Sequence, residues 1–226
     1  PPSKPEENLL RLSVNSRLAA NGDLTVRASL EGRGFSDTSL RRAIGYAPIA
    51  ERNRVGLEFV RKLPLDAQLT RFSHTDPLNF DAFVRFDAEI RLPSPYVQVD
   101  AQLQWKPMSM RVLPEYDRLM PWLSLPPNPG RRHPVLLRSN VVVEVEETFE
   151  HSRALVPLLL PETVAVRTPA ASLTASVRVE GRRVRFSARL ILPNRRVPAS
   201  SYADLVNTVQ AFVKLANLAV RLEVAK

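Results

Sequence analysis

The chain contains no cysteine among its 226 residues. This absence excludes disulfide bonds, thiolate metal sites and a cysteine nucleophile within these residues. Glycine is also scarce, with 7 residues against 20 prolines. That ratio favours an all-β chain with stiff connections over a βαβ protein with glycine-rich phosphate loops. No G-x-S-x-G, P-loop, G-x-G-x-x-G or H-E-x-x-H motif occurs.

Long apolar runs are absent as well. No stretch reaches the roughly 18 residues of a membrane-spanning helix, and the opening PPSKPEENLL lacks the apolar region of a signal peptide. We therefore expect neither feature in these residues, which resemble a fragment cut from a longer chain, so that export of the longer chain stays open. With 44% apolar residues, the chain can bury the core of one large domain or two small ones.

Basic residues exceed acidic ones, giving a formal net charge of +9. Such an excess is typical of nucleic-acid-binding proteins. The arginines are spread along the chain, whereas readout of a nucleic acid needs them on one groove-facing element, so nucleic acid is not the expected partner. We expect most arginines to be solvated surface. One subset near predicted turns is a candidate anion-binding set: Arg131, Arg132, Arg182, Arg183, Arg185, Arg195 and Arg196.

Alternating apolar residues predict two β-hairpins. Residues 9–18 and 24–30 alternate on either side of AANGD, where Asn-Gly tolerates the positive φ angles of a tight turn. Residues 173–179 and 184–190 alternate in the same way around EGRR. Both pairs of strands are therefore expected to be antiparallel neighbours.

Three further stretches predict strands. Residues 83–91 and 97–105 alternate on either side of a short, proline-stiffened connection, so we expect them to pair with each other in antiparallel fashion. A third strand begins at residue 141 and separates valines on an inward face from mostly polar residues on the other. The inward residues are Val141, Val143 and Val145, and the opposite ones are Asn140, Val142, Glu144 and Glu146.

Helical patterns occur in two places. Ser36 or Asp37 can cap a short helix and Pro48 can open a second, which gives a helical insertion at about 37–62. Residues 201–216 combine an S-x-x-D capping pattern with apolar residues spaced by three and four, and a strand follows. The expected core-facing residues of this helix are Tyr202, Leu205, Val206, Val209, Phe212, Val213 and Ala216.

Together these patterns predict a mainly β fold of two sandwich-like antiparallel β units with a few covering helices. We assign the first unit to residues 1–107 and the second, closed by the helix and a final strand, to residues 135–226. The intervening 108–134 is a proline-rich connection without a sustained period.

Two groups of polar residues could carry chemistry, and both have a structural interpretation as well. His74 and Asp76 could form an acid–base pair, although SHTDP is more typical of a turn. An acidic stretch around the valine strand could bind a cation, although a solvated strand face also explains it. The residues of that stretch are Glu144, Glu146, Glu147, Glu150 and His151.

Aromatic residues flank the proline-rich connection and could line a groove for a sugar or a peptide. Packing against the neighbouring prolines is the favoured interpretation. These residues are Tyr96, Trp105, Tyr116 and Trp122. From the sequence we assign no catalytic residue, no metal ligand and no cofactor.

The order of these features resembles the C-terminal region of bacterial transglutaminase-like proteins, which follows a papain-like catalytic core and is known as a domain of unknown function. The resemblance covers residues 8–224 and includes a helical stretch near Arg41 or Arg42. The other segments in register are NSRLAANGDLTVRASLEGRG, RRHPVLL, LLLPETVAV and VPASSYADLVNTVQAFVKLANLAVRL. The resemblance implies that the catalytic Cys, His and Asp belong to the preceding core, and that the setting is the periplasm or the cell surface of a Gram-negative bacterium.

Three functions follow from these observations. The first is a non-catalytic accessory or interaction module, which supports an upstream transglutaminase-like core or binds a cell-envelope protein. The alternative is an arginine-rich binding module for an anionic polymer, either nucleic acid or envelope glycan. The third, a metal-dependent enzyme built on Glu144, Glu146 and His151, has the least support, because the solvated strand face explains both glutamates.

Overall fold

The computed structural model describes residues 4–48, 51–61, 63–93, 98–99, 102–112, 120–128 and 130–225. Strands dominate this part of the chain, which confirms the predicted mainly β fold. The strands are β1 (Leu9–Leu18), β2 (Leu24–Gly32), β3 (Gln68–His74), β4 (Arg85–Leu92), β5 (Gln98–Val99), β6 (Gln102–Trp105), β7 (Val135–Leu136), β8 (Val141–Glu150), β9 (Leu155–Leu159), β10 (Val164–Arg167), β11 (Ser172–Glu180), β12 (Arg183–Leu192), β13 (Arg196–Val197) and β14 (Val220–Val224).

Helices are shorter and fewer. The α-helices are α1 (Phe35–Gly45), α2 (Arg52–Leu57), α3 (Ser109–Val112) and α4 (Tyr202–Lys214). Short 3₁₀ turns lie at Pro5–Glu7, Pro121–Ser124, Ala199–Ser201 and Leu215–Asn217. No helix in the described part of the chain is long and apolar enough to cross a membrane.

The strands form two sheets and a small ribbon. An eight-stranded main sheet has the order β10-β11-β12-β8-β1-β2-β4-β3, and a four-stranded small sheet has the order β5-β6-β14-β9. The ribbon pairs β13 with β7. Each sheet contains strands from both predicted β units, so hydrogen bonding crosses the boundary drawn between residues 107 and 135.

One strand pair departs from the predicted antiparallel arrangement. In the middle of the main sheet, β1 runs parallel to β8, with Leu9 opposite Val142 and Arg17 opposite Glu150. The other described pairs are antiparallel. Parallel neighbours need a long crossover connection, and the whole of residues 19–140 supplies it here.

Both predicted hairpins are confirmed. β1 and β2 pair around the Asn-Gly turn, where Gly22 has a φ of 86°. β11 and β12 pair around Gly181, whose φ is 59°. A residue with a side chain rarely adopts either angle, so both turns depend on glycine.

The predicted pairing of 83–91 with 97–105 is wrong. β4 pairs with β2 and β3 instead, so both of its edges are already occupied. The second stretch is divided into β5 and β6, and β6 pairs with β14 in the small sheet. The sequence analysis missed β3, because a register shift between Leu69 and Arg71 interrupts the alternation by which a strand is recognised.

A single hydrophobic core lies between the main sheet and a covering layer. The inner face of the sheet contributes alternate residues such as Leu12, Val26 and Val145, each fully buried. Helices α1 and α2 cover β2 and β3, α3 covers β1 and β8, and α4 covers β11. The small sheet joins this layer, and its Trp105 ring lies 6.3 Å from the ring of Phe149 on β8.

Helix α4 follows the predicted apolar pattern except at Val213, and the predicted Ala216 lies beyond its end in a 3₁₀ turn, partly buried against the core. Tyr202, Leu205, Val206, Val209 and Phe212 are buried, as predicted, whereas Val213 is 45% exposed. The predicted Ser201 cap makes no side-chain hydrogen bond. A 3₁₀ turn precedes the helix and gives Ser201 a ψ near 6°, whereas a capping residue has an extended backbone.

Helix α1 also starts without the predicted cap, because it begins at Phe35 and so contains both Ser36 and Asp37 in its first turn. Asp37 accepts a hydrogen bond from the backbone N–H of Val84. Gly34 precedes the helix at a φ of 58°, and a Cβ at this position would collide with the carbonyl oxygen of Glu7. The Asn8 side chain accepts a hydrogen bond from the N–H of Phe35 at 2.9 Å. The first turn of α1 is therefore attached to the start of β1.

Replacing Phe212 by alanine is expected to lower the free energy of unfolding by about 3–5 kcal/mol, because its side chain is 1% exposed and the truncation leaves a cavity. Chemical denaturation measures the difference. Val213→Ala is the matched control, and we expect it to change stability by less than about 0.5 kcal/mol. Equal losses in the two variants would show that α4 packs through a different face.

Candidate functional site

The main sheet has one covered face and one face that the described chain leaves open to solvent. On β1, for example, Leu12 and Val14 point into the core whereas Asn15 and Arg17 are exposed. The same alternation holds on β2, β4 and β12. We call the solvent side the open face, and the strand register places its side chains in rows that cross the strands.

The first of these rows alternates in charge, and we call it the alternating row. Five neighbouring strands contribute one residue each. From β12 to β4 the members are Arg189, Glu144, Arg11, Glu31 and Arg85.

Glu144 on β8 contacts the neighbouring members of the alternating row on both sides, on β1 and β12. Its Oε2 accepts hydrogen bonds from Nε and Nη2 of Arg11 at 3.0 and 2.7 Å, and its Oε1 lies 3.3 Å from Nε of Arg189. The hydrogen bond to Glu144 is the main reason why the pKa of Arg11 is raised. Glu144 is thus an acceptor for arginines of both halves of the chain.

The second row is rich in small hydroxyl side chains, and we call it the hydroxyl row. Its members from β11 to β3 are Ser176, Ser187, Glu146, Ser13, Ser29, Asp87 and Ser73. The hydroxyls of Ser176 and Ser187 are hydrogen-bonded at 3.2 Å. Because its five serine side chains are short, the row forms the floor of a shallow groove, and the longer side chains of the neighbouring rows stand on either side.

The third row lies on the other side of this floor and is the arginine row. Its members from β11 to β3 are Arg178, Arg185, Thr148, Asn15, Arg27, Glu89 and Arg71. Arg178 and Arg185 are directly opposite each other on an antiparallel pair, an arrangement that destabilises a sheet. Neither Arg178 nor Arg71 has an ion pair with any described residue.

The seven arginines predicted from the sequence are not brought together as one site. Arg182, Arg183 and Arg185 lie at the β11–β12 turn or on the adjoining end of β12. The other four lie beyond the opposite end of β12, at or near the β7–β13 ribbon. Seven residues of β12 lie beyond Arg185 and separate the two groups by roughly 23 Å.

Two arginines of the ribbon group have structural contacts. The Arg131 guanidinium stacks on the ring of Tyr202 at 4.6 Å from its centroid, and Arg195 Nε donates to the carbonyl of Leu137 at 3.1 Å. Arg132 and Arg196 are exposed. Anion binding by either group stays a prediction.

The acidic stretch considered for a cation does not converge. Glu144 and Glu146 face the open side, whereas Glu147 is buried on the inner face and His151 accepts a hydrogen bond from the N–H of Arg153 at 3.0 Å. Among the described residues, no group of three His, Asp or Glu side chains is placed to hold a metal ion. Asn140 and Val142, which were assigned to the same side of the strand as these glutamates, are both buried.

The His74 and Asp76 pair is part of a turn. Asp76 accepts a hydrogen bond from the N–H of Leu78 at 3.0 Å, and Nδ1 of His74 lies 2.9 Å from the carbonyl oxygen of Thr75. The buried guanidinium of Arg41 donates to the carbonyls of Pro77 and two further loop residues, which fixes this connection between β3 and β4.

Of the four aromatic residues considered for a groove, Trp105 is fully buried in the core. Tyr96, Tyr116 and the side chain of Trp122 lie outside the described residues. Trp105 is therefore a core residue, which confirms the expectation of a place in the core or at the seam for this one residue.

Glu147 is a buried carboxylate whose role the sequence analysis missed. It lies 2% exposed on β8 between Val14 and Phe186, and it accepts hydrogen bonds from the N–H groups of Met108 and Ser109 at 3.0 and 2.7 Å. Burial raises its pKa to about 7, and those hydrogen bonds oppose the rise. The carboxylate thereby fastens the start of the proline-rich connection to the main sheet.

Sequence reasoning also missed the arginine row, because its members come from seven strands. One signal was present: residues 183–189 alternate arginine or serine with apolar residues, which indicates a polar strand face. Arg178, Arg27 and Arg71 can be assigned to one row only when the order of the strands across the sheet is known.

Comparisons with known proteins add little. No family model and no curated protein matches the chain. Among solved structures, the crystal structure of a "putative protease" from Parabacteroides distasonis is similar over 55% of this chain, with 15% sequence identity and a TM-score of 0.43. The match spans 24% of that protein's chain. A similarity of this size supports neither a shared fold nor a shared activity.

The ionisation of Glu147 is expected to make stability depend on pH. Its folded-state pKa of about 7 lies above the unfolded value of 4.5, so the unfolded chain binds fewer protons between these pH values. Stability must therefore fall as the pH rises from 4.5 to 7 and level off above. Relative to Glu147→Gln, we expect the native chain to lose about 3 kcal/mol over that range.

Urea denaturation at pH 5 and pH 8 on the native chain and on Glu147→Gln gives this difference. The control is Glu146→Gln, which removes a carboxylate from the exposed face of the same strand, one residue before Glu147. Parallel pH profiles for the native chain and Glu147→Gln would show that the buried carboxylate has an ordinary pKa.

Proposed function

We propose that the chain is a non-catalytic interaction module that binds its partner through the open face of the main sheet. The observation that carries the proposal is the facing pair Arg178 and Arg185 in the arginine row. Like charges directly opposite each other cost stability, and Glu180, at 3.4 Å from Arg185, supplies a carboxylate to one member of the pair and none to Arg178. A partner that supplies negative charge at this position removes that cost.

The shape of the open face agrees with this proposal. The concavities on it include one of about 770 Å³ around Ser29 and Arg71 and one of about 440 Å³ around Ser187 and Arg178. Helices and the small sheet cover the other side of the main sheet, so the described elements leave this side for a partner.

The resemblance to the C-terminal region of transglutaminase-like proteins supports an accessory role. In that role the chain would support an upstream catalytic core or bind a component of the cell envelope, in the periplasm or at the cell surface. The alternative, binding of an anionic polymer, gains support from the arginine row rather than from the seven arginines first considered, since those are divided between the two ends of β12.

A bulky side chain in the hydroxyl row is expected to weaken the binding of the chain to its partner. Ser29→Trp and Ser187→Trp each place a bulky ring on the floor of the open face, and we expect either to weaken cosedimentation with washed bacterial envelopes at least about tenfold. Gln210→Trp on the exposed side of α4 is the matched control and should sediment like the native chain.

Thermal unfolding must show that all three variants are folded. Native-like sedimentation of both serine variants would contradict the proposal. Hydrolase or transferase activity of the purified chain would contradict its non-catalytic part.

A further inference from the structure

The geometry points to an acidic polysaccharide as the ligand of the open face, and we propose that this polymer lies across the strands along the hydroxyl and arginine rows. The inference rests on the proposed function, since it names the chemical class that the same face binds.

The rows are long enough for several residues of an extended polymer. From β11 to β3 they cross six strand spacings of ~4.8 Å, a span of roughly 29 Å. Both concavities lie on this path, because the larger contains Ser13, Ser29 and Ser73 of the hydroxyl row and the other contains Ser176 and Ser187. A compact ligand would occupy one concavity, whereas a linear polymer can occupy both.

Two arginines of the arginine row are available to bind a ligand. Arg27 is paired with Glu89 at 3.2 Å, so Glu89 is already engaged on the side away from Arg71. Arg185 lies 3.4 Å from Glu180, which leaves its opposite neighbour Arg178 without a carboxylate among the described residues. Arg71 and Arg178 therefore offer guanidinium groups near the two ends of the row, and such groups bind carboxylate, sulfate or phosphate oxygens in bidentate fashion.

The groups between these cations are suited to sugar hydroxyls. Ser13, Ser29, Thr148 and Asn15 both donate and accept hydrogen bonds, and Glu146 is an exposed acceptor that has no ion pair with any described residue. A polymer that carries hydroxyl donors as well as spaced anions can satisfy all of these groups. The surface thus alternates between sites for anions and sites for neutral polar groups.

Nucleic acid fits this surface less well. No aromatic residue stands in the hydroxyl or arginine row, so unpaired bases find no stacking platform. Glu146 and Asp87 lie on the floor of the groove and would repel a backbone with a charge on every nucleotide. A uronic-acid polysaccharide carries hydroxyl groups on every sugar, and these donors can lie against the two carboxylates while its anions lie against the arginines.

The test uses polygalacturonate oligomers as the acidic polysaccharide, with dextran and single-stranded oligo(dT) for comparison. Isothermal titration calorimetry on the full chain should detect polygalacturonate binding that weakens at least about tenfold between about 50 and 200 mM NaCl, because contacts between guanidinium groups and the carboxylates of a polyanion release its counterions. Dextran should not bind measurably, and oligo(dT) should bind more weakly than polygalacturonate.

The matched variants each remove two positive charges. Arg71→Gln with Arg178→Gln should weaken polygalacturonate binding at least about tenfold, whereas Arg132→Gln with Arg196→Gln should leave it within about twofold. The melting temperature of Arg178→Gln gives a second readout, since relief of the facing pair should leave it unchanged or raised. If Arg178 served only to stabilise the fold, Arg178→Gln would lower the melting temperature.

Three results would overturn the inference. They are equal losses in the two double variants, tighter binding of oligo(dT) than of polygalacturonate, or no binding of polygalacturonate at low salt. If polygalacturonate fails while envelope binding is still lost in Ser29→Trp, the proposed function stands and only the ligand class is wrong. If envelope binding does not depend on the open face, both proposals fail.

Discussion

The parallel pairing of β1 with β8 is the contact on which the rest of the structure depends. It joins strands that lie 133 residues apart in the chain at Arg11 and Glu144. Without it the main sheet would separate into one block of four strands from residues 9–92 and another from residues 141–192. The rows of the open face cross this junction, so the hydroxyl and arginine rows exist as continuous lines only while it holds.

Polar contacts reinforce the junction on both faces of the sheet. On the open side, Glu144 binds Arg11 from β1 and lies beside Arg189 from β12. At the end of the strands, the Asn8 side chain donates to that of Asn140 at 2.8 Å. On the inner side, Glu147 binds the backbone at Met108 and Ser109. A buried carboxylate is costly, so this contact holds the connection at one position at some expense in stability.

Local features of the fold could be predicted from the sequence, and pairings between distant strands could not. The Asn-Gly turn and the apolar stripe of α4 depend on neighbouring residues, and both were predicted. The β1–β8 pair depends on which distant strands meet, and alternation is the same for a parallel as for an antiparallel neighbour. Glu147 illustrates the same limit. It stands in the valine phase of its strand, but only the approach of α3 explains why a carboxylate is tolerated there.

The position of β14 has a consequence for how the protein is made. This last strand is an interior strand of the small sheet, with β6 on one side and β9 on the other. During synthesis the small sheet cannot close until residues 220–224 emerge, and until then β9 has an unpaired edge. Val156, Leu158 and Leu159 beside that edge are exposed in the folded chain as well. A chain that lacks residues 220–224 should therefore leave the facing edges of β6 and β9 unpaired, and we expect it to aggregate more readily than the full chain.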